Sequence, residues 1–236
     1  MKINVHESGS RGTADLGWLY SRHTFSFADY HNPQRMGFGK LRVINDDIVH
    51  PSKGFGTHPH ENMEIISIPL RGSLRHKDSI GNEHTIEAGE VQIMSAGTGI
   101  QHSEYNNSDS DDVNFLQIWV LPKKLGIEPR YDQKKFNADQ RQNRFQLVVS
   151  PDEGNESITI NQDAYFSLVD LDGSNSINYQ MHEQNHGVYL FVISGSVTLG
   201  NTVLEQRDGA EISGTENITI AANVSAQVLL IEVPLN

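Results

Sequence analysis

Short apolar stretches alternate with polar, turn-forming clusters over most of the chain. From about Leu41 onward, runs of Val, Ile, Leu, Phe and Thr recur between clusters of Gly, Asn, Asp and Pro. Almost none of the runs is long enough for the 3.6-residue repeat of an amphipathic helix, so the pattern predicts an all-β protein. The predicted strands cover residues 41–44, 63–70, 83–86, 91–94, 113–121, 145–149, 188–193, 197–199, 218–220 and 228–233. The polar segment 125–144 is predicted to be a linker with one helical turn near residues 138–142.

The order of strands and turns occurs twice. A strand followed by a Gly-Ser turn is found at 68–74 and again at 191–197, and each copy continues into a Gly corner and a final apolar strand that ends at Pro. The matching positions are Gly72 with Gly195, Gly89 with Gly209, and Pro122 with Pro234. A missed repeat would misassign the whole fold, and this one suits a small barrel or jelly roll built twice. The sequence therefore predicts two related β-barrels in tandem.

Composition restricts the chemistry of any functional site. The 236 residues include 11 His and no Cys, so a metal would need imidazole and carboxylate ligands. The 18 Lys+Arg against 30 Asp+Glu give a net charge of −12, which opposes direct binding to nucleic acid. No apolar run approaches the ~20 residues of a membrane span, and the N-terminus lacks an apolar signal core. We expect a cytoplasmic protein with no membrane contact.

Two histidine motifs in the first half predict a metal site. His58 and His60 lie in the Gly-rich run 54–64, and His102 and Glu104 lie in a second Gly-containing run about forty residues later. Alternate side chains of a strand share one face, so two strands on facing walls of a barrel would present four ligands to one point. A single His-x-His pair is common by chance, and the second pair at the same spacing is what favours a metal. Such a set would accept Fe(II), Mn, Co, Ni, Cu or Zn.

These motifs resemble those of a known family. The runs 23–27, 41–47, 54–64, 94–104 and 117–119 make the sequence similar to the pirin family of the cupin superfamily, and especially to its bacterial pirin-like quercetin 2,3-dioxygenases. The resemblance implies a bicupin, with an N-terminal metal-binding cupin domain over residues 1–130 and a degenerate C-terminal cupin domain over 131–236. It also implies that His58, His60, His102 and Glu104 bind one metal per chain, usually iron.

The fourth ligand has two candidates. Glu64 is in phase with His60, so spacing alone would admit it, whereas the resemblance to pirins favours Glu104. We therefore expect Glu104 to be the ligand and Glu64 to be a nearby carboxylate that handles protons. No separate cofactor-binding residues are predicted.

The second half lacks the matching ligands. The offset of 123 residues between Gly72 and Gly195 places Met181 at the position of His58 and Glu183 at that of His60. No histidine follows Gly209. We expect His182 and His186 to be surface or packing residues, and the C-terminal domain to be free of metal.

The resemblance implies a dioxygenase that opens the central ring of a flavonol such as quercetin. Its substrates would be this small aromatic molecule and O₂. Both oxygen atoms would enter the product, a phenolic ester, and carbon monoxide would leave. The alternative is a non-enzymatic, iron-binding redox sensor that acts through a protein partner, as some pirins do.

Overall fold

The computed structural model describes residues 1–153 and 156–236, which form strands and loops almost throughout. The strands of the first half are β1 (Lys2–His6), β2 (Gly12–Asp15), β3 (Leu19–His23), β4 (Leu41–Val49), β5 (Gly54–His60), β6 (Glu64–Arg71), β7 (Ser73–Asp78), β8 (Glu83–Glu87), β9 (Glu90–Ser95), β10 (Ile100–Asn106) and β11 (Val113–Val120). The strands that follow are β12 (Arg130–Lys135), β13 (Gln146–Ser150), β14 (Ile158–Thr159), β15 (Tyr165–Leu171), β16 (Ser176–Gln180), β17 (His186–Ser194), β18 (Val197–Leu199), β19 (Thr202–Leu204), β20 (Gly209–Ser213), β21 (Asn217–Ala222) and β22 (Ala226–Pro234). The all-β prediction is confirmed.

Helical structure is limited to two short 3-10 turns in the described part of the chain, Ser8–Ser10 and Ala138–Arg141. The second turn lies where the sequence predicted one. Within residues 1–153 and 156–236, no helix is long and apolar enough to cross a membrane.

Each barrel consists of a seven-stranded and a four-stranded sheet, and the strand orders of the two barrels correspond. The large sheets run β12-β9-β6-β11-β4-β3-β2 and β1-β20-β17-β22-β15-β13-β14. The small sheets run β5-β10-β7-β8 and β16-β21-β18-β19. Gly72 joins β6 to β7, and Gly195 joins β17 to β18, at equivalent places. The tandem jelly-roll barrels predicted from the internal repeat are confirmed.

One edge strand of each large sheet comes from outside the half of the chain that forms the rest of that sheet. β1 pairs with β20 in the second barrel, although it begins the chain. β12, which the sequence did not predict, pairs with β9 in the first barrel. Its residues are mostly polar and only partly buried, as expected at a sheet edge. Strand pairing thus extends across the predicted division after residue 130, and that division stays a prediction.

The two large sheets pack against each other through one apolar cluster, which we call the inter-barrel core. Its members include Ile44, Ile66, Ile68, Leu116 and Ile118 from the first barrel and Phe166, Leu168, Phe191, Leu229 and Ile231 from the second. Alternate residues of these strands point into their own barrel. In β6, Ile66 joins the inter-barrel core, whereas Ser67 faces inward and donates a hydrogen bond to Glu104.

The equivalent glycines Gly72 and Gly195 give a matched test of the repeat. Both have left-handed backbones, with φ of 76° and 78°. A Cβ at Gly72 would lie 3.2 Å from Val113 Cα, whereas a Cβ at Gly195 would overlap the carbonyl oxygen of Ser225. We expect Gly72→Ala to cost about 1–2 kcal/mol for its backbone conformation alone, and Gly195→Ala to cost clearly more because backbone atoms must also move. Urea unfolding of both variants measures this, and equal losses would contradict it.

Candidate metal centre

Three histidines of the first barrel converge on one point. His58 and His60 lie on β5, and His102 lies on β10. The ring centroids are separated by 4.5 Å for His58 and His102, 4.8 Å for His58 and His60, and 4.9 Å for His60 and His102. One nitrogen from each ring lies within 4.8 Å of the other two. The structure therefore brings together the three predicted imidazoles in an arrangement that can hold a divalent metal ion.

The strands that carry these histidines are neighbours, so the prediction that they lie on facing walls of the barrel is wrong. β5 and β10 pair antiparallel, and His102 is directly opposite His58 in the register. A register irregularity follows between His102 and Glu104. Bulges of this kind redirect side chains at functional sites. Cross-strand neighbours on one face thus bring the imidazoles together, without any need for the barrel to close around them.

The imidazoles are held in a form suited to metal binding. His58 Nδ1 lies 2.8 Å from the carbonyl oxygen of Gly56 and donates to it, which leaves Nε2 as the free ligand atom. Burial, and then the neighbouring rings of His102 and His58, lowers the pKa of His60 to about 4. Burial, and then His58 and His76, lowers the pKa of His102 to about 3. Both rings are neutral at neutral pH, as metal ligation requires.

Glu104 lies beside His102 at the inner end of the site. It is fully buried, and one of its oxygens lies within 4.8 Å of ligand atoms of His102 and His76. Ser67 Oγ donates to Oε1 at 3.0 Å, and Gln117 Nε2 donates to Oε2 at 2.7 Å. The two donors fix the plane of the carboxylate.

Glu64 is not brought to the histidines. It begins β6 and shares the face of that strand with Ile66, which packs in the inter-barrel core. Its Oε2 accepts hydrogen bonds from Ser95 Oγ at 2.7 Å and from the backbone N–H of Asn161 at 3.2 Å. The spacing that would admit Glu64 as a ligand does not apply, because residues 61–63 separate β5 from β6 and the alternation of side chains is not preserved across a turn. The expected proton-handling role of Glu64 therefore has no structural support.

Two buried residues near the site were missed. His76 and Asp78 lie on β7, which pairs with β10, and His76 Nε2 is 3.2 Å from Asp78 Oδ2. The signal was present in the sequence, because His76 and Asp78 have the same period-2 spacing as His58 and His60. Their strand was not predicted, since its residues are largely polar.

Aromatic side chains surround the outer end of the site. Trp119 lies edge-on to His60, with ring centroids 5.0 Å apart, and Phe27 packs on Trp119 at 5.3 Å. The ring of His23 is tilted against Phe27, with centroids 5.2 Å apart, and its Nδ1 lies 2.9 Å from Asn45 Oδ1. Phe25 instead points into the inter-barrel core. A cavity of about 440 Å³ opens beside His60, lined by Pro59, His60, Glu61, Ser79, Gly99, Ile100 and Gln101. The size is within the range of small-molecule sites.

Comparison with known proteins identifies the family. Residues 4–120 match the family model described as Pirin, and residues 147–233 match the one described as Quercetinase C-terminal cupin domain. A protein of Escherichia coli K12 named quercetin 2,3-dioxygenase is 43% identical over 233 residues, which is 98% of this chain and 99% of that protein. The chain belongs to the pirin family. Its two barrels are the two cupin domains of a pirin.

Solved pirin structures are closely similar. YhhW from Escherichia coli superposes with a TM-score of 0.95 at 42% identity, covering 100% of this chain and 99% of that one. A second structure, bacterial pirin YhhW in complex with nickel(II), superposes with a TM-score of 0.94 at 42% identity and covers 100% of both chains. A relative from Pseudomonas aeruginosa, named as a putative quercetin 2,3-dioxygenase, is 41% identical over 94% of this chain and 95% of that protein.

The interior of the second cupin domain contains apolar side chains and a hydrogen-bonded carboxylate, in contrast to the histidine cluster of the first domain. Met181, which the offset along the sequence matched to His58, is buried in an apolar cluster with Val188, Leu190 and Ile218. The fully buried Glu232 accepts hydrogen bonds from Tyr179 Oη at 2.9 Å and from backbone N–H groups of His182 and Glu183 at 3.0 Å. Side chains and hydrogen-bonded main chain thus occupy the interior. That this domain takes no metal stays a prediction.

The two remaining histidines of this region pack against their neighbours. The exposed His182 stacks on Tyr165 with ring centroids 4.0 Å apart, and the buried His186 lies with Nδ1 3.2 Å from Glu232 Oε1. These positions agree with the surface and packing roles expected from the sequence.

We expect Asp47 to make the stability of the metal-free pirin pH-dependent. It is 2% exposed inside the first barrel, and burial, with the charges of Asp46 and Glu104, raises the pKa of its carboxyl to about 7. The stabilising contribution of the protonated acid is complete below the unfolded pKa of about 4 and is lost as the pH rises through about 7. Asp47→Asn cannot ionise. Its free energy of unfolding should therefore rise by about 2 kcal/mol relative to wild type between pH 5 and pH 8.

Urea unfolding at pH 5, 6, 7 and 8 in the presence of a chelator measures this difference. Asp109→Asn, at an exposed turn, is the control and should follow wild type at every pH. Parallel curves for Asp47→Asn and wild type would contradict the raised pKa.

Proposed function

We propose that this pirin is a metal-dependent dioxygenase that cleaves the central ring of a flavonol, in the manner of quercetin 2,3-dioxygenase. The observation that carries the proposal is the cluster of His58, His60 and His102, in which His60 lines a cavity and lies edge-on to Trp119. The name of the Escherichia coli relative and the nickel(II) complex of YhhW support it.

We propose that His58, His60, His102 and Glu104 hold one divalent metal ion, and that this ion is Fe(II). The donor set fits such an ion, because imidazole nitrogens and a carboxylate held by hydrogen bonds suit first-row divalent metals. When bound, the metal supplies a Lewis acid that lowers the pKa of a coordinated hydroxyl group. Mn, Co, Ni, Cu and Zn match the same ligands.

The half-open arrangement of the site suits a flat aromatic substrate. His58 and His60 are only partly buried, whereas His102 and Glu104 are almost fully buried, so the substrate would approach from the side of β5. Trp119 and Phe27 offer ring faces and edges for packing against a flavonol.

Glu104 is the candidate proton acceptor. In the proposed reaction the 3-hydroxyl of the flavonol loses its proton to Glu104, both atoms of O₂ enter the phenolic ester product, and carbon monoxide leaves. Ser67 and Gln117 keep the carboxylate oriented while it accepts that proton. The fully buried position of Glu104 excludes bulk water from the proton transfer.

Metal content tests the ligand set without substrate. Protein purified without added metal should contain about one transition metal per chain by elemental analysis, and His102→Ala should lose it. His182→Ala removes an exposed histidine of the second barrel and should retain the metal. Full metal content in His102→Ala would contradict the site.

Oxygen uptake tests the activity. Protein loaded in turn with Fe(II), Mn(II), Co(II), Ni(II) or Cu(II) should consume O₂ when quercetin is added. Glu104→Gln, compared with wild type at one bound metal per chain, should lower kcat by about 10²- to 10⁴-fold, because the amide cannot accept the proton. Absence of uptake with every metal would rule out the flavonol dioxygenase. If a protein partner is then recovered in stoichiometric amount with the Fe(III)-loaded protein and not with the other forms, the redox-sensor alternative is favoured.

A further inference from the structure

The buried residues His76 and Asp78 lie directly behind the candidate metal centre. In the pairing of β7 with β10, Asp78 is opposite His102 and His76 is opposite Glu104. The ring of His76 is fully buried, and its centroid is 5.3 Å from that of His102. These two residues are therefore the closest support that the barrel interior offers to His102 on the side of β7.

The hydrogen bonds of Asp78 determine which nitrogen of His76 carries the proton. Asp78 Oδ1 accepts from the backbone N–H groups of Ile80 at 3.1 Å and Asn82 at 2.9 Å, and Oδ2 accepts from Asn82 Nδ2 at 2.9 Å. Three donors favour the ionised carboxylate. His76 Nε2, at 3.2 Å from Oδ2, therefore carries the hydrogen and donates it. The remaining nitrogen, Nδ1, is left as a hydrogen-bond acceptor.

His76 and His102 both have buried ring nitrogens without a hydrogen-bond partner among the described residues, and each could supply the partner that the other lacks. His76 Nδ1 is buried and has no donor within the described ranges. Both nitrogens of His102 are likewise buried and unpartnered in the part of the chain that the structure describes. If one nitrogen of His102 ligates a metal, the other carries a hydrogen and needs an acceptor, at a cost of about 1–3 kcal/mol if none is found. Atoms of the two rings lie within 4.8 Å.

We propose that Asp78 and His76 position His102, with His102 N–H donating to His76 Nδ1 and His76 Nε2–H donating to Asp78. This chain would fix the tautomer and the ring orientation of His102 and would increase its strength as a ligand. Hydrogen bonds of this kind are often long in a site without its ligand and shorten when the site is filled. The inference rests on the proposed role of His102 as a metal ligand.

Direct ligation by His76 is the competing arrangement. His76, His102 and Glu104 also form a group whose ligand atoms lie within 4.8 Å of one another, and all three are buried. A metal bound by His76 Nδ1 would, however, leave the second nitrogen of His102 buried without an acceptor. The positioning arrangement satisfies both residues, and we therefore favour it.

Variants of the chain separate the two arrangements. His76→Leu removes the acceptor, and His76→Gln retains a side-chain oxygen that can accept. Asp78→Asn keeps an oxygen for the backbone of Ile80 and Asn82 but turns a donor towards His76, which favours the opposite tautomer. His84→Leu is the matched control, because exposed His84 lies opposite His76 on β8 and stacks on Tyr131.

The measurements are Ni(II) affinity by competition with a chelating dye, the visible spectrum of the Co(II)-loaded protein, and thermal unfolding without metal. We expect His76→Leu and Asp78→Asn to weaken Ni(II) binding by about 10- to 100-fold and to shift the Co(II) bands. His76→Gln should recover part of the affinity, and His84→Leu should match wild type. If His76→Leu does not fold, His76→Gln and Asp78→Asn provide the same comparison.

Three outcomes would overturn the inference. Wild-type affinity and an unchanged Co(II) spectrum in both His76→Leu and Asp78→Asn would show that the pair does not act on the metal. Complete loss of binding in both variants at position 76, with Asp78→Asn unaffected, would identify His76 as a direct ligand. Failure of the wild type to bind any metal would instead refute the proposed site, and the role of His76 with it.

Discussion

The packing of the two large sheets against each other is the constraint on which the rest of the structure depends. Every central strand of these sheets has both faces buried, one in the inter-barrel core and one inside its own barrel. The inter-barrel face is mainly apolar, and its burial removes a large continuous apolar surface from water. The polar groups of the candidate metal centre lie instead on the inward face and on the small sheet. β1 and β12 reinforce this arrangement, since each adds an edge strand to a large sheet from outside its half of the chain.

The inward faces of the two barrels differ in polarity, although the two barrels have the same strand order. In the first barrel, buried Glu104 has two side-chain donors, Ser67 and Gln117, and faces a cluster of imidazoles. In the second, buried Glu232 is bound by Tyr179 and by backbone N–H groups, and apolar side chains fill the space around it. A buried carboxylate is costly unless hydrogen bonds or a positive charge compensate it. Glu232 obtains this compensation from the protein, whereas Glu104 is placed where a metal cation can add to it.

The sequence predicted the fold and the three histidines because both depend on local spacing. The repeat of Gly turns located the two barrels, and the period-2 spacing located His58, His60 and His102. What it could not predict depends on long-range pairing. The first predicted strand ended at residue 44, before the polar residues Asn45, Asp46 and Asp47, yet β4 continues to Val49. Hydrogen bonds inside the barrel make those residues acceptable in a strand, as between Asn45 and His23. The face of Glu64 was likewise set by the pairing of β6 with its neighbours, which spacing along the chain does not reveal.

The position of His102 explains why the outer and inner parts of the site are linked. Its strand, β10, lies between β5 and β7, so one ring contacts His58 and His60 on one side and His76 on the other. β5 is the edge strand of the small sheet and is half-exposed, as suits ligands that must meet a substrate. β7 is paired on both sides, and the inward His76 and Asp78 are buried. A metal held by His102 would therefore lie between the solvent-facing edge strand β5 and the hydrogen-bonded interior at β7. The coordination geometry of the metal would depend on that interior, even though the substrate would meet the metal at the edge.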